Sequence, residues 1–293
     1  MKNIIQKYVE TAFKDLETSI KKMQKCELET FYFGGDHTPE YDKIEHQQEY
    51  ILKYFPAYLA EYYYIYKELN FNNFFNPVNQ DIHVLSLGCG SGVDLLAFYL
   101  RRLSVVDFKY TVIDLANWKY RDLIIPASDK INFINANAAD FNFKNYEDIN
   151  LIIFPRSISE FDDNVIDSIV KNIQSINLTS KRIAIAILCR NKGFQKDQEK
   201  YKKIIEAIKQ QNYDYIQENP NKGSYLPIQE LPNQGICCYV SEFQYPQNIK
   251  DNLSSLKKLC ADKFNCTEDC CLDYNPILKT KDFSFSLNIL EKH

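Results

Sequence analysis

The chain has 293 residues, a length that suits one enlarged domain or one core with helical additions. Hydrophobic residues make up 45% of it, ample for a sizeable core, and a formal charge of -4 gives no global field that would draw it to nucleic acid or an anionic membrane. No uninterrupted apolar run reaches membrane-helix length and no signal-peptide core follows Met1, so a soluble, cytoplasmic protein is expected, its 9 cysteines reduced and mostly buried.

Between residues 3 and 26, Ile4, Ile5, Tyr8, Ala12, Phe13, Leu16 and Ile20 recur at three- and four-residue steps, which predicts an amphipathic helix. Gly34, Gly35 and Pro39 predict a turn over 31–39. A second helical region over 41–75 is unusually aromatic, with tyrosines on more than one face, and Pro56 is expected to bend or interrupt it. From Pro77 on, short apolar runs alternate with helical segments, the pattern of a parallel sheet with crossover helices. Strands are predicted at 82–87, 109–114, 131–135, 151–154 and 182–188, and helices at 93–103, 117–125, 163–176 and 196–211. Residues 213–217 and 235–243 read as two strands joined without a helix, so they should pair antiparallel. The tail from Asp251 reads as a helix, a cysteine-bearing loop and a final alternating strand over 283–289.

Only 8 glycines occur in the chain, yet Gly88, Gly90 and Gly92 cluster between a predicted strand and a predicted helix. An ordinary strand-to-helix turn needs one glycine at most. Several together permit a tight turn and close approach of a ligand to main-chain N–H groups. The dinucleotide fingerprint needs its third glycine where Val93 stands, which disfavours a nicotinamide cofactor. Asp114 ends the next strand, where a carboxylate can accept from both hydroxyls of a ribose. Its other reading, a helix N-cap, loses ground beside the glycines.

These residues, with 131–141 on the third strand, resemble class I S-adenosylmethionine-dependent methyltransferases from about Asp81 to Phe243. The resemblance implies an α/β, Rossmann-like doubly wound sheet, mostly parallel with an antiparallel last strand, here taken as 235–243. It implies S-adenosylmethionine as cofactor, held by Gly88, Cys89, Gly90, Gly92, Asp114, Leu115, Asn137, Ala138 and Phe154. Asn137 takes the place of an acid that meets the adenine amino group, and its amide oxygen can accept the same bond. The organisation expected is a helical, aromatic-rich extension over 1–80, the cofactor-binding domain over 81–246, and a helix and strand over 247–293 packed on the core.

Methyl transfer needs an in-line nucleophile and good positioning, so the acceptor side is poorly advertised by sequence. In this fold the loop after the fourth strand faces the methyl group. It lacks the motifs for adenine, glutamine or cytosine acceptors, and offers Arg156 as an anchor for an anionic group and Glu160 as a general base. A plain loop-to-helix junction accounts for both residues as well. Tyr41, Tyr54 and Ser157 are the candidate substrate contacts, the tyrosines because aromatic faces suit a sulfonium. The acceptor is unassigned, a small molecule being favoured over RNA or protein; a non-catalytic cofactor-binding protein is the alternative. Cys260, Cys266, Cys270 and Cys271 lack the paired spacing of a structural zinc site, so no metal is expected. Lysines over 192–209 read as a solvated helix face, with an RNA contact the lesser reading.

Overall fold

The amphipathic stripe near the N-terminus forms as expected in the computed structural model: α1 (Lys2–Lys22) buries Ile5, Tyr8, Val9, Ala12, Leu16 and Ile20 along one side. The structure describes residues 2–26, 41–71, 73–75, 81–101, 107–124, 128–190, 194–216, 225–226, 236–237, 245–265, 276–280 and 283–293. They fall into two units, one made of residues 1–60, 116–126 and 236–280, the other of 61–115, 127–235 and 281–293. The expected turn over 31–39 lies outside the described residues.

In the first unit α1 packs against α2 (Ile44–Lys53), the single turn of α5 (Arg121–Ile124) and α8 (Gln247–Phe264). Lys263 of α8 donates to the carbonyl of Ile20 at 2.9 Å and also to that of Lys21, satisfying acceptors that the end of α1 leaves open. Pro56 interrupts the aromatic stretch as anticipated: α2 stops at Lys53, Tyr54 caps it, and α3 (Phe55–Phe71) carries the proline in its first turn, where a missing N–H costs nothing. Four successive polar residues of α2, His46 to Glu49, are buried. Gln47 Nε2 donates to the carbonyls of Tyr41 (2.7 Å) and Asn117 (3.0 Å), and its Oε1 accepts from the Lys119 N–H (2.9 Å). Gln48 donates to Tyr120 Oη, which donates to Asp15, both at 2.8 Å. Gln47 engages backbone groups of Asn117 and Lys119, and the helix expected over 117–125 is reduced to Arg121–Ile124. Two short strands, β8 (Ile236–Cys237) and β9 (Lys279–Thr280), pair antiparallel in this unit.

The second unit holds the sheet. Its strands are β1 (Ile82–Leu87), β2 (Phe108–Asp114), β3 (Ile131–Asn135), β4 (Leu151–Pro155), β5 (Arg182–Arg190), β6 (Tyr213–Tyr215), β7 (Tyr225–Leu226) and β10 (Phe283–Lys292). The order is β3-β2-β1-β4-β5-β10-β6, with β7 also paired to β10. β1 to β5 run parallel, and β10 runs antiparallel to β5 and β6. α6 (Asp163–Ser175) and α7 (Phe194–Lys209) cover one face with isoleucines of both helices and of β5. Phe98 of α4 (Val93–Arg101) and Tyr66 of α3 meet edge to face and share Tyr110 on the other face. Wholly buried near-continuous apolar strands such as β1 and β4 are what a parallel sheet covered on both faces requires.

One strand assignment is corrected. The reversed strand beside β5 is β10, not residues 235–243, whose described part, Ile236–Cys237, pairs with β9 instead. Sequence adjacency favoured 235–243 as partner of 213–217. The ten residues of β10 offer far more ladder, running in register from Phe283 opposite Arg190 to Glu291 opposite Arg182. Ser286 and Asn288 lie buried in it, and Gln198 of α7 donates to Ser286 Oγ at 2.8 Å.

Candidate functional site

β1 does not stop at its last strand residue. The Gly88 N–H donates to the Ile113 carbonyl at 2.7 Å, and then the backbone turns left-handed at Gly88, Gly90 and Gly92, with φ of 71°, 57° and 81°. Those angles account for all three glycines. Gly88 has a second reason: a Cβ there would lie 2.4 Å from Ser157 Cβ, so the loop after β4 sits directly against it. Beside Gly92 no atom of the described residues stands within 4 Å of a Cβ position, which leaves room next to the main chain. The Gly90 N–H donates to Asp114 Oδ2 at 2.7 Å, joining the glycine turn to the end of β2.

Behind the turn, α4 is anchored by Asp94, whose Oδ2 accepts from Ser86 Oγ at 2.6 Å and Tyr110 Oη at 2.8 Å. Burial pushes the Asp94 carboxyl above its ordinary range, and the bonds from Ser86 and Tyr110 oppose that. Among the described residues Ser91 Oγ and Asp94 Oδ1, both buried, have no hydrogen-bond partner.

The other cofactor candidates lie along the same edge of the sheet. Asp114 is half-buried at the end of β2, beside Asn135 of β3, and Leu115 after it is 73% exposed. Asn137 is exposed, and its Oδ1 accepts from the Ala139 N–H at 2.9 Å, an Asx turn that occupies the oxygen expected to meet adenine. Ala138 is buried. The side chain of Phe154 lies in the core, 6.2 Å from the Phe161 ring, so only its main chain remains for a ligand. Cys89 is buried within the turn.

The loop after β4 holds the candidate catalytic residues. Arg156 takes a left-handed conformation (φ 59°) and grips Glu61 of α3 through two nitrogens, Nε reaching Oε2 at 2.6 Å. Glu61 is fully buried, so this is a desolvated pair, and sequence reasoning missed its acid. Ser157 Oγ donates to the Leu87 carbonyl. Glu160 is exposed, and the N-cap of α6 is Asp162, which accepts from the Val165 N–H at 2.9 Å. Gly88 and Ser157 are thus brought together, as are Gly90 and Asp114, while Arg156 is engaged with Glu61. Tyr41 and Tyr54 belong to the first unit. There Tyr41 lies 4.8 Å from the Trp118 ring, and Tyr54 stacks on Tyr58 at 5.7 Å. Cys266, Cys270 and Cys271 lie outside the described residues, among which no group of metal-binding side chains occurs. No described helix is long and apolar enough to cross a membrane.

No protein-family model and no curated protein sequence matches the chain. Among solved structures it is similar to phosphoethanolamine N-methyltransferase 2 of Haemonchus contortus, in complex with phosphomonomethylethanolamine and S-adenosylhomocysteine, at 12% identity over 77% of this chain and 52% of that one, TM-score 0.38. The chain thus spans about half the length of that relative. It is also similar to a TehB-like SAM-dependent methyltransferase of Corynebacterium glutamicum, at 9% identity over 71% of this chain and 80% of that one, TM-score 0.32. A third similar structure is the methyltransferase domain of bacterial CtHen1, at 12% identity over 75% of this chain and 95% of that one, TM-score 0.35. By the order β3-β2-β1-β4-β5-β10-β6 with β10 reversed, and by the three-glycine turn from β1 into α4, the chain has a Rossmann-like, doubly wound α/β fold, mostly parallel with one antiparallel strand.

Proposed function

We propose that the chain is an S-adenosylmethionine-dependent methyltransferase. The observation that carries this reading is the bond from the Gly90 N–H to Asp114 Oδ2, which sets a left-handed glycine turn against an acid at the adjacent strand end. The residues fit the cofactor: the space beside Gly92 admits a ligand to the main chain, and the Asp114 carboxylate can take ribose hydroxyls. S-adenosylmethionine, when bound, supplies an electrophilic methyl group on a sulfonium. The chain's own part is to hold and orient, with Ala138 at the adenine, Asn137 beside it through the second lone pair of its turn-bound oxygen, and the 156–161 loop walling the turn. Positioning of this kind can supply much of the rate of a displacement.

A small-molecule acceptor is favoured over RNA, because the lysines of α7 are partly neutralised: Lys203 pairs with Asp167 at 2.9 Å, and Lys209 lies 3.9 Å from Asp214. The pairing of Arg156 with Glu61 and the exposure of Glu160 favour a second reading, a cofactor-binding protein without turnover. Calorimetry with S-adenosylmethionine and S-adenosylhomocysteine tests both. Heat of binding with both ligands is expected, and silence with both would remove the first reading and the second. Binding with no label transferred to any component of cell extract would select the second.

A further inference from the structure

We propose that Lys200 is a positioning residue for the glycine turn, acting through the loop after β4; this rests on the cofactor-binding reading above. Lys200 falls in phase with Asp197, Ile204 and Ile208 on the side of α7 that faces the core, and it is 3% exposed. Lysine is seldom buried so fully without partners. Its ammonium donates to the carbonyls of Ile158 at 3.0 Å and Phe161 at 2.6 Å, bracketing the loop between them. Burial lowers the lysine's pKa, while Asp197, itself 4% exposed, opposes that and favours the charged form.

The loop held in this way has no slack on its other side. Ser157 Oγ donates to the carbonyl of Leu87, and a Cβ on Gly88 would meet Ser157 Cβ at 2.4 Å and the Phe161 ring at 3.3 Å. A shift of the loop toward the turn would drive Ser157 into Gly88. A shift away would release the Leu87 carbonyl and the left-handed step that begins the turn. Lys200 therefore sets the geometry of the turn without standing in it. Glu61, gripping Arg156, holds the start of the same loop from α3.

The test uses the full chain with Lys200→Met, which removes the ammonium and keeps an unbranched apolar chain. Tyr201→Phe is its control, since the Tyr201 hydroxyl donates from the same helix to the Ile185 carbonyl at 2.8 Å, in β5 rather than in the loop. Hydrogen exchange over residues 156–162 and calorimetric affinity for S-adenosylhomocysteine are read for each. In Lys200→Met, exchange should quicken and affinity should fall, each by about tenfold, the equivalent of one charge-assisted hydrogen bond. Tyr201→Phe should leave both near wild type. Equal losses in the two variants, or no change in Lys200→Met, would overturn the proposal. Lys200→Gln serves if Lys200→Met does not fold; its amide can reach one carbonyl at most, so an effect in the same direction is expected and wild-type behaviour would overturn the proposal. If the wild-type chain binds no S-adenosylhomocysteine, the cofactor-binding reading fails, and loop exchange alone decides whether Lys200 fixes the loop.

Discussion

Gly88 and Gly92 both hold left-handed backbone, at φ of 71° and 81°, but only Gly88 is also crowded. Alanine at Gly92 meets nothing within 4 Å among the described residues, so its cost should be the conformational one, about 1–2 kcal/mol. Alanine at Gly88 adds a collision with Ser157, worth a further ~1–3 kcal/mol. Urea unfolding of the two variants should separate them in that order; equal losses would mean the loop after β4 yields easily. The glycines and Asp114 were legible in the sequence because a ligand-binding turn writes its demands within a few residues. Glu61 and Lys200 were not, because their partners lie 95 and 39 to 42 residues away. A signal did exist: each is a charge standing in phase with the buried side of its helix, Glu61 with Tyr58 and Ile65, Lys200 with Ile204.

Among the elements, β10 holds the sheet together, since among the described residues it is the strand that joins β5 to β6. Removing residues 283–293 exposes a full edge of β5 and strips the partner from β6 and β7. The shortened chain should lose its cooperative unfolding transition; a sharp transition near the wild-type midpoint would show that β10 is dispensable. Strand positions were readable from apolar runs, because burial on both faces leaves few alternatives. Strand order was not, since the pairing of β5 with β10 spans a long stretch of other structure. The shortened α5 was equally hidden. Before Arg121 the backbone bonds to a side chain of α2, Gln47, and a tertiary contact of that kind leaves no local trace.

Taken whole, the chain builds each unit from three separate stretches, so no linear boundary separates them. One part of its response to acid should come from His83. That ring is buried between Asp148 (Nδ1 to Oδ1, 2.8 Å) and Thr111 (Nε2 to Oγ1, 3.3 Å), and burial lowers its pKa from 6.5 against the pull of Asp148. The unfolded chain therefore takes up this proton first. The stabilisation is present above pH 6.5 and is lost as the pH falls from there through the folded value. Thermal unfolding between about pH 8 and pH 5 should show this loss in the wild type and lack it in His83→Gln. The raised carboxyls of Asp94 and Asp197 act with the opposite sign, favouring the fold as they take up protons.

β5 depends for its second neighbour on β10, a strand distant from it along the chain. Until β10 docks, β5 presents the run Ile183-Ala184-Ile185-Ala186-Ile187-Leu188 as a bare edge, uncharged, free of proline and rich in β-branched residues. Such a segment can pair with its own copy in another chain as readily as with β10. Recovery from denaturant should therefore decline steeply with protein concentration, the two strands competing with aggregation for the same backbone groups.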